Sequence, residues 1–159
     1  MRLLASLLKP EFVLLDLAAS SKEALFEEIA TRIAQPLGLA PKVITKSLVH
    51  REKLGSTGLG QGVAIPHGRI KQLKVAAGVF VRTRDAVPFG APDNEPVRLL
   101  FVLLVPEQAT DLHLQILSEL AQLFGDRVLR ERLLQINDPA EIFHLLTHSH
   151  DADHRTTSI

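Results

Sequence analysis

Leu25, Phe26, Ile29, Ala30 and Ile33 recur at spacings of three and four, the period of a helix with one face turned to a core. Ser20 with Glu23 forms a capping-box pattern that opens this helix, and Pro36 with Gly38 predicts a stop before residue 36. Pro41 starts a second helix that runs to about Lys53 with Val43, Ile44, Leu48 and Val49 inward. Val75–Val81 is mostly apolar and reads as a covered strand. Asp85–Phe89 reads as a short edge strand, because Pro88 cannot donate inside a sheet. Residues 90–96 form a loop, and Val97–Val105 is apolar on both faces, as a central strand requires. Thr110 is placed to cap a helix carrying Leu112, Ile116, Leu117, Leu120 and Phe124, closed by Gly125. Asp126 caps another with Val128, Leu129, Leu133 and Leu134, and Asp138-Pro139-Ala140-Glu141 opens a last short one. Helices, then strands, then helices predict an α/β fold: a single-domain sandwich with a small mixed central sheet and helices on both faces. Residues 1–147 form that domain, and 148–159 read as a polar, disordered tail.

Composition narrows the function classes. Lys+Arg and Asp+Glu balance at 18 each, so no broad field recruits nucleic acid or an anionic membrane. Phe is the only aromatic type, which removes the Tyr and Trp platforms on which single strands stack. With no cysteine there is no disulfide and no thiolate chemistry, in keeping with a reducing cytoplasm. The longest apolar run, Leu99–Val105, falls far short of the ~20 residues of a membrane span. Arg2 and the apolar residues 3–8 end at Lys9-Pro10 without a small-residue cleavage site, so they do not read as a signal peptide.

The candidate chemistry lies in residues 51–69, Arg-Glu-Lys-Leu-Gly-Ser-Thr-Gly-Leu-Gly-Gln-Gly-Val-Ala-Ile-Pro-His-Gly-Arg, a stretch that looks too irregular for core packing. It lacks the lysine of a nucleotide P-loop, and its glycine spacing departs from the dinucleotide fingerprint. An anion site fits better. Glycine-turn amides at Gly55 and Gly58 make a concave donor set, Ser56 and Thr57 add hydroxyls, and Arg51 and Arg69 offer planar contacts to phosphate. The neutral imidazole of His67 is a competent nucleophile toward phosphorus. The same residues are also compatible with a long turn and a bystander histidine. His113 shares the inward phase of its helix and is either a core histidine or a group in a crevice at the helix start. The tail, His148 to His154, has ligands for a divalent metal but reads first as a solvated segment.

The 51–69 run resembles the signature of the type-2 IIA domain of the bacterial phosphotransferase system, the fructose/mannitol class. Residues 96–107 and 113–121 fit the same family, and the resemblance extends from about Leu4 to Leu146. It implies that His67 accepts a phosphoryl group from a histidine-phosphorylated, HPr-like carrier protein. It also implies that Arg51 and His113 line that site, that no cofactor or metal is needed, and that nucleic acid and membrane insertion play no part. The Gly55–Gly60 loop and a chain ending soon after its last helix point to the nitrogen-regulatory branch. Such a protein signals through its phosphorylation state to targets such as kinases or transporters. The alternatives are a sugar-specific IIA that passes phosphate to a IIB domain, and a binding module in which His67 holds an anion without reacting. Leu54, Leu59 and Ile65 are candidate rim contacts for the donor.

Overall fold

The computed structural model describes residues 2–108 and 111–148. A short helix, α1 (Arg2–Leu7), leads into strand β1 (Leu8–Leu17); neither carries a strong sequence signal. Helices α2 (Lys22–Leu37) and α3 (Pro41–Lys53) follow. Next come three short strands, β2 (Gly58–Gly60), β3 (Val63–Ala64) and β4 (His67–Ile70), and two long ones, β5 (Ala77–Val87) and β6 (Val97–Pro106). Helices α4 (Asp111–Phe124), α5 (Arg127–Gln135) and α6 (Pro139–Thr147) complete the chain. The six strands form one mixed sheet in the order β1-β5-β6-β3-β2, with β4 also paired to β6. β5 runs parallel to β1 and antiparallel to β6. Along its other edge β6 holds β3 opposite Leu99–Leu100 and β4 opposite Leu103–Pro106, both parallel.

β6 is buried from Leu99 to Val105 without alternation, so both faces of the sheet are covered, as its unbroken apolar run predicts. Phe80, Phe101 and Phe124 belong to one core that also takes in Leu25, Phe26, Ile29 and Ile33 of α2.

Several boundaries differ from those the sequence predicts. Helix α2 is capped by Ser21, whose side chain accepts from the Ala24 amide, and not by Ser20. That helix also passes through Pro36. Proline in the last turn forfeits one amide donor, and the chain then leaves through Gly38 in the left-handed region (φ 67°), with the Leu39 amide closing on Ala34 O. The two strands expected at 75–81 and 85–89 are one strand, β5; Val75 lies outside it and is exposed. Pro88 follows its last residue, so no sheet position has to accommodate it. On α4 the buried stripe is His113, Ile116, Leu120 and Phe124. Leu112 stands a 100° step off that stripe and is 43% exposed. Val128 and Leu134 likewise flank the buried pair Leu129 and Leu133 and face solvent. Asp126 and Asp138 cap α5 and α6 as expected. The Thr110 cap and the tail from residue 149 lie outside the described residues.

Candidate functional site

The glycine-rich stretch is less irregular than its composition suggests. β2 and β3 form a tight antiparallel hairpin turned at Gln61 and Gly62, both at positive φ. Its apolar members Val63, Ala64 and Ile65 are buried. Ile65 is therefore core rather than rim, whereas Leu54 and Leu59 are exposed. The Leu103 amide of β6 donates to Pro66 O, and His67 then opens β4 opposite Leu103. A histidine at the first residue of a strand bonded to the central strand has a fixed backbone, which fixes where its ring starts. Gly68 is buried against α3: a Cβ there would stand 2.1 Å from Ser47 Oγ, so only glycine lets the helix approach this closely.

The His67 ring is pinned at both nitrogens. Nδ1 lies 2.8 Å from Ile65 O, a group that can only accept, so Nδ1 carries the proton. Arg51 Nε donates to Nε2 at 3.1 Å, which requires a lone pair on Nε2. The ring is thus the neutral Nδ1–H tautomer. Burial holds the His67 pKa below its ordinary value of 6.5, opposed by the Ile65 carbonyl and reinforced by the Arg51 charge. Arg51, in the last turn of α3, is itself steadied by Gly55 O at 2.8 Å.

His113 reaches the same place from the first turn of α4. Its ring meets His67 edge-to-face with centroids 5.1 Å apart. Both of its ring nitrogens are buried without a hydrogen-bond partner. Burial also lowers its pKa, followed by the positive fields of His67, Arg69 and Arg51. A buried, unpaired imidazole beside another imidazole costs stability and is ready for a ligand's oxygen. Arg51, His67, Arg69 and His113 share a cleft of about 780 Å³.

The expected anion loop is built differently. Ser56 Oγ donates to Phe89 O at 2.7 Å and accepts from the Gly58 amide. The Thr57 amide and hydroxyl both donate to the Glu52 carboxylate, at 2.9 and 2.6 Å. The Gly55 amide donates to Glu52 O. These donors of residues 55–58 have internal partners, whereas Arg51 bonds His67 Nε2 and His113 lies against the His67 ring. Glu52 and Lys22 were not foreseen. Glu52 also pairs with Lys22 Nζ at 2.9 Å, and Lys22 donates to Phe89 O and stands over the Phe89 ring. Glu52 sits next to Arg51 in the quoted run, but its partner thirty residues earlier leaves no local trace. No group of three or more His, Cys, Asp or Glu among the described residues could hold a metal ion.

One histidine on a strand and one on a helix thus meet, with an arginine at the open Nε2 of the first. The chain is a member of the phosphoenolpyruvate-dependent sugar phosphotransferase system EIIA 2 family, which matches residues 6–149. Within it, the chain is 39% identical to a nitrogen regulatory protein of Escherichia coli over 145 residues, covering 91% of this chain and 89% of that one. A nitrogen regulatory protein of Pseudomonas aeruginosa is 40% identical over 131 residues, 82% of this chain and 85% of that one. The crystal structure of the nitrogen regulatory protein IIA-Ntr from Neisseria meningitidis superposes with a TM-score of 0.86 at 46% identity, over 91% of this chain and 99% of that chain. IIA mannitol from Escherichia coli superposes at 0.73 with 25% identity, over 87% and 97%. These likenesses bear out the expected family and the resemblance to its nitrogen-regulatory members: the chain is a phosphotransferase-system IIA component. No helix among the described residues is long and apolar enough to cross a membrane.

Proposed function

We propose that the protein is a histidine phosphocarrier whose phosphorylation state is read by target proteins such as kinases or transporters. The observation that carries this is the pinned tautomer: Nδ1–H on Ile65 O leaves the Nε2 lone pair facing Arg51. Nε2 attacks the phosphorus of a phosphohistidine on an HPr-like carrier. A P–N bond forms on His67 as the donor's P–N bond breaks, and that electron pair returns to the donor's ring nitrogen. One P–N bond replaces another, so the step is close to thermoneutral and needs no further reactant. The positive charge that develops on the His67 ring sits on the Nδ1–H already directed at Ile65 O. Arg51 shifts from Nε2 to the phosphoryl oxygens, where a guanidinium contributes planar, charge-assisted bonds. His113 supplies an N–H to the same oxygens, which gives its unpaired ring a partner. Arg69 adds positive field from the cleft. The phosphoryl group brings about −2 charge, partly offset by the positive charge on the His67 ring, and a partner docked there senses the change directly.

Intact mass after incubation with phosphoenolpyruvate, an enzyme I and a carrier tests this reading. One acid-labile phosphoryl group is expected on the wild type and none on His67→Ala. Labelling that survives in His67→Ala excludes His67 as the acceptor. Retention of phosphate in the presence of fructose- or mannitol-type IIB domains supports a regulator; rapid onward transfer indicates a sugar-specific component. In a cytoplasmic setting the signal then lies in which targets bind the two forms.

A further inference from the structure

The cleft beside His67 continues away from the histidine between α3 and β4, and its charge is one-sided. Lys46, His50 and Lys53 line one wall from α3, and Arg69 and Lys71 line the other; no carboxylate lines it at all. The chain as a whole is neutral, so this is local concentration and not overall excess. Lys53 lies in the last turn of α3, where a cation also complements the helix dipole. That explanation does not extend to Lys46, a turn earlier, or to Lys71 beyond β4. None of Lys46, Lys53, Arg69 or Lys71 forms a salt bridge among the described residues. Residues 46 to 53 rise by roughly 10 Å along the helix. Two lines of cations over that length, with Val43 and Val49 of α3 among the lining residues, describe a groove and not a point site.

From this we infer that the groove is a docking site for an acidic, partly apolar polypeptide segment of a partner protein, laid along α3 with one end at His67. Carboxylates on the segment face the two cationic walls, and its apolar side chains meet Val43 and Val49. Charge complementarity of this kind steers encounter and fixes register. Nucleic acid fits less well, because no Phe, Tyr or Trp lines the groove to stack a base. An occupant meets any phosphoryl group on His67 at the end of the groove; that consequence rests on the phosphocarrier reading, whereas docking itself does not.

The test is fluorescence anisotropy on the unphosphorylated protein with a labelled peptide of alternating glutamate and leucine. Binding is expected to weaken several-fold as salt rises, since exposed charges are screened. Lys46→Glu combined with Lys71→Glu should weaken it about tenfold or more while leaving far-UV circular dichroism and the unfolding midpoint unchanged. The same peptide with glutamine for glutamate should not bind. Equal binding by the charge-reversed variant, equal binding of the glutamine peptide, or tighter binding of an oligonucleotide than of the acidic peptide overturns the inference. Running the same titration on His67→Ala separates the two readings: loss of labelling with retained peptide binding removes neither the groove nor its occupant. Labelling of the wild type with no peptide binding to it removes the groove alone.

Discussion

Replacing Glu52 with alanine tests how the site is held in shape. Its carboxylate side chain is 6% exposed and takes three donors: Lys22 Nζ, the Thr57 amide and the Thr57 hydroxyl. Hydrogen bonds to a charged group contribute about 1.5–3 kcal/mol each, and removing one partner of a buried pair costs about 3–5 kcal/mol. These figures describe the same carboxylate and do not add. Lys22 is 19% exposed and keeps Phe89 O, so its ammonium is not stranded. The expected loss for Glu52→Ala is therefore about 3 kcal/mol, at the low end of the buried-pair range. Glu52→Gln keeps the shape and a carbonyl oxygen for the Thr57 amide but gives up the charge, and should lose about 1–2 kcal/mol. Urea unfolding followed by circular dichroism, with an unchanged m-value, reads both. A cycle with Lys22→Met isolates the ion pair. The rate of phosphoryl acceptance should fall further in the alanine variant than in the glutamine one, because Thr57 leaves Glu52 and the loop that carries Gly55 O no longer steadies Arg51. A loss below about 1 kcal/mol for Glu52→Ala, or equal losses for alanine and glutamine, refutes the clamp.

Three further perturbations follow from the same geometry. Gly68→Ala places its Cβ 3.1 Å from Ser47 Cβ and 3.3 Å from Ser47 backbone carbon as well as against Ser47 Oγ. Overpacking there should cost about 1–3 kcal/mol in urea unfolding, and Ser47→Ala in the same chain should recover only part of it, since the Cβ and backbone contacts remain. Both site histidines are held below the ordinary 6.5 by burial, so below that pH the unfolded chain binds protons that the folded chain refuses. Stability should then be full above about pH 6.5 and fall as the pH drops through that value, by at most about 1.4 kcal/mol per pH unit for each histidine. His113→Gln should flatten the slope measured by urea midpoints, and an unchanged slope refutes that assignment. Arg51→Lys should slow acceptance by about tenfold or more, because an ammonium donates from one point and lacks the planar fork that spans Gly55 O and the transferring group; rates equal to wild type in rapid-quench labelling exclude Arg51 from the transfer.

Much of this molecule is written locally. The stripe of Leu25 to Ile33, the Asp126 and Asp138 caps and the apolar run of Val97–Val105 each depend on neighbours within a few residues. They reappear as α2, α5, α6 and the central strand. Nothing comparable marks β1, whose pairing partner lies some sixty to seventy residues away in β5. The merger of 75–81 with 85–89 into one strand is likewise set by the continuous partner β6 rather than by the residues between them.

The candidate site divides in the same way. The sequence by itself determined the chemical types: a histidine after proline, an arginine at a helix end, glycines between them, and a second histidine on a later helix. A family signature in those residues was enough to name the acceptor expected. Tertiary structure decided what each group is free to do. It aimed Arg51 at His67 Nε2, tied Glu52 to Lys22, and brought His113 within ring contact of His67. The physical reason is that a hydrogen bond or a desolvating neighbour is a property of two groups. When their separation in sequence is sixteen, thirty or forty-six residues, only the folded chain brings them together.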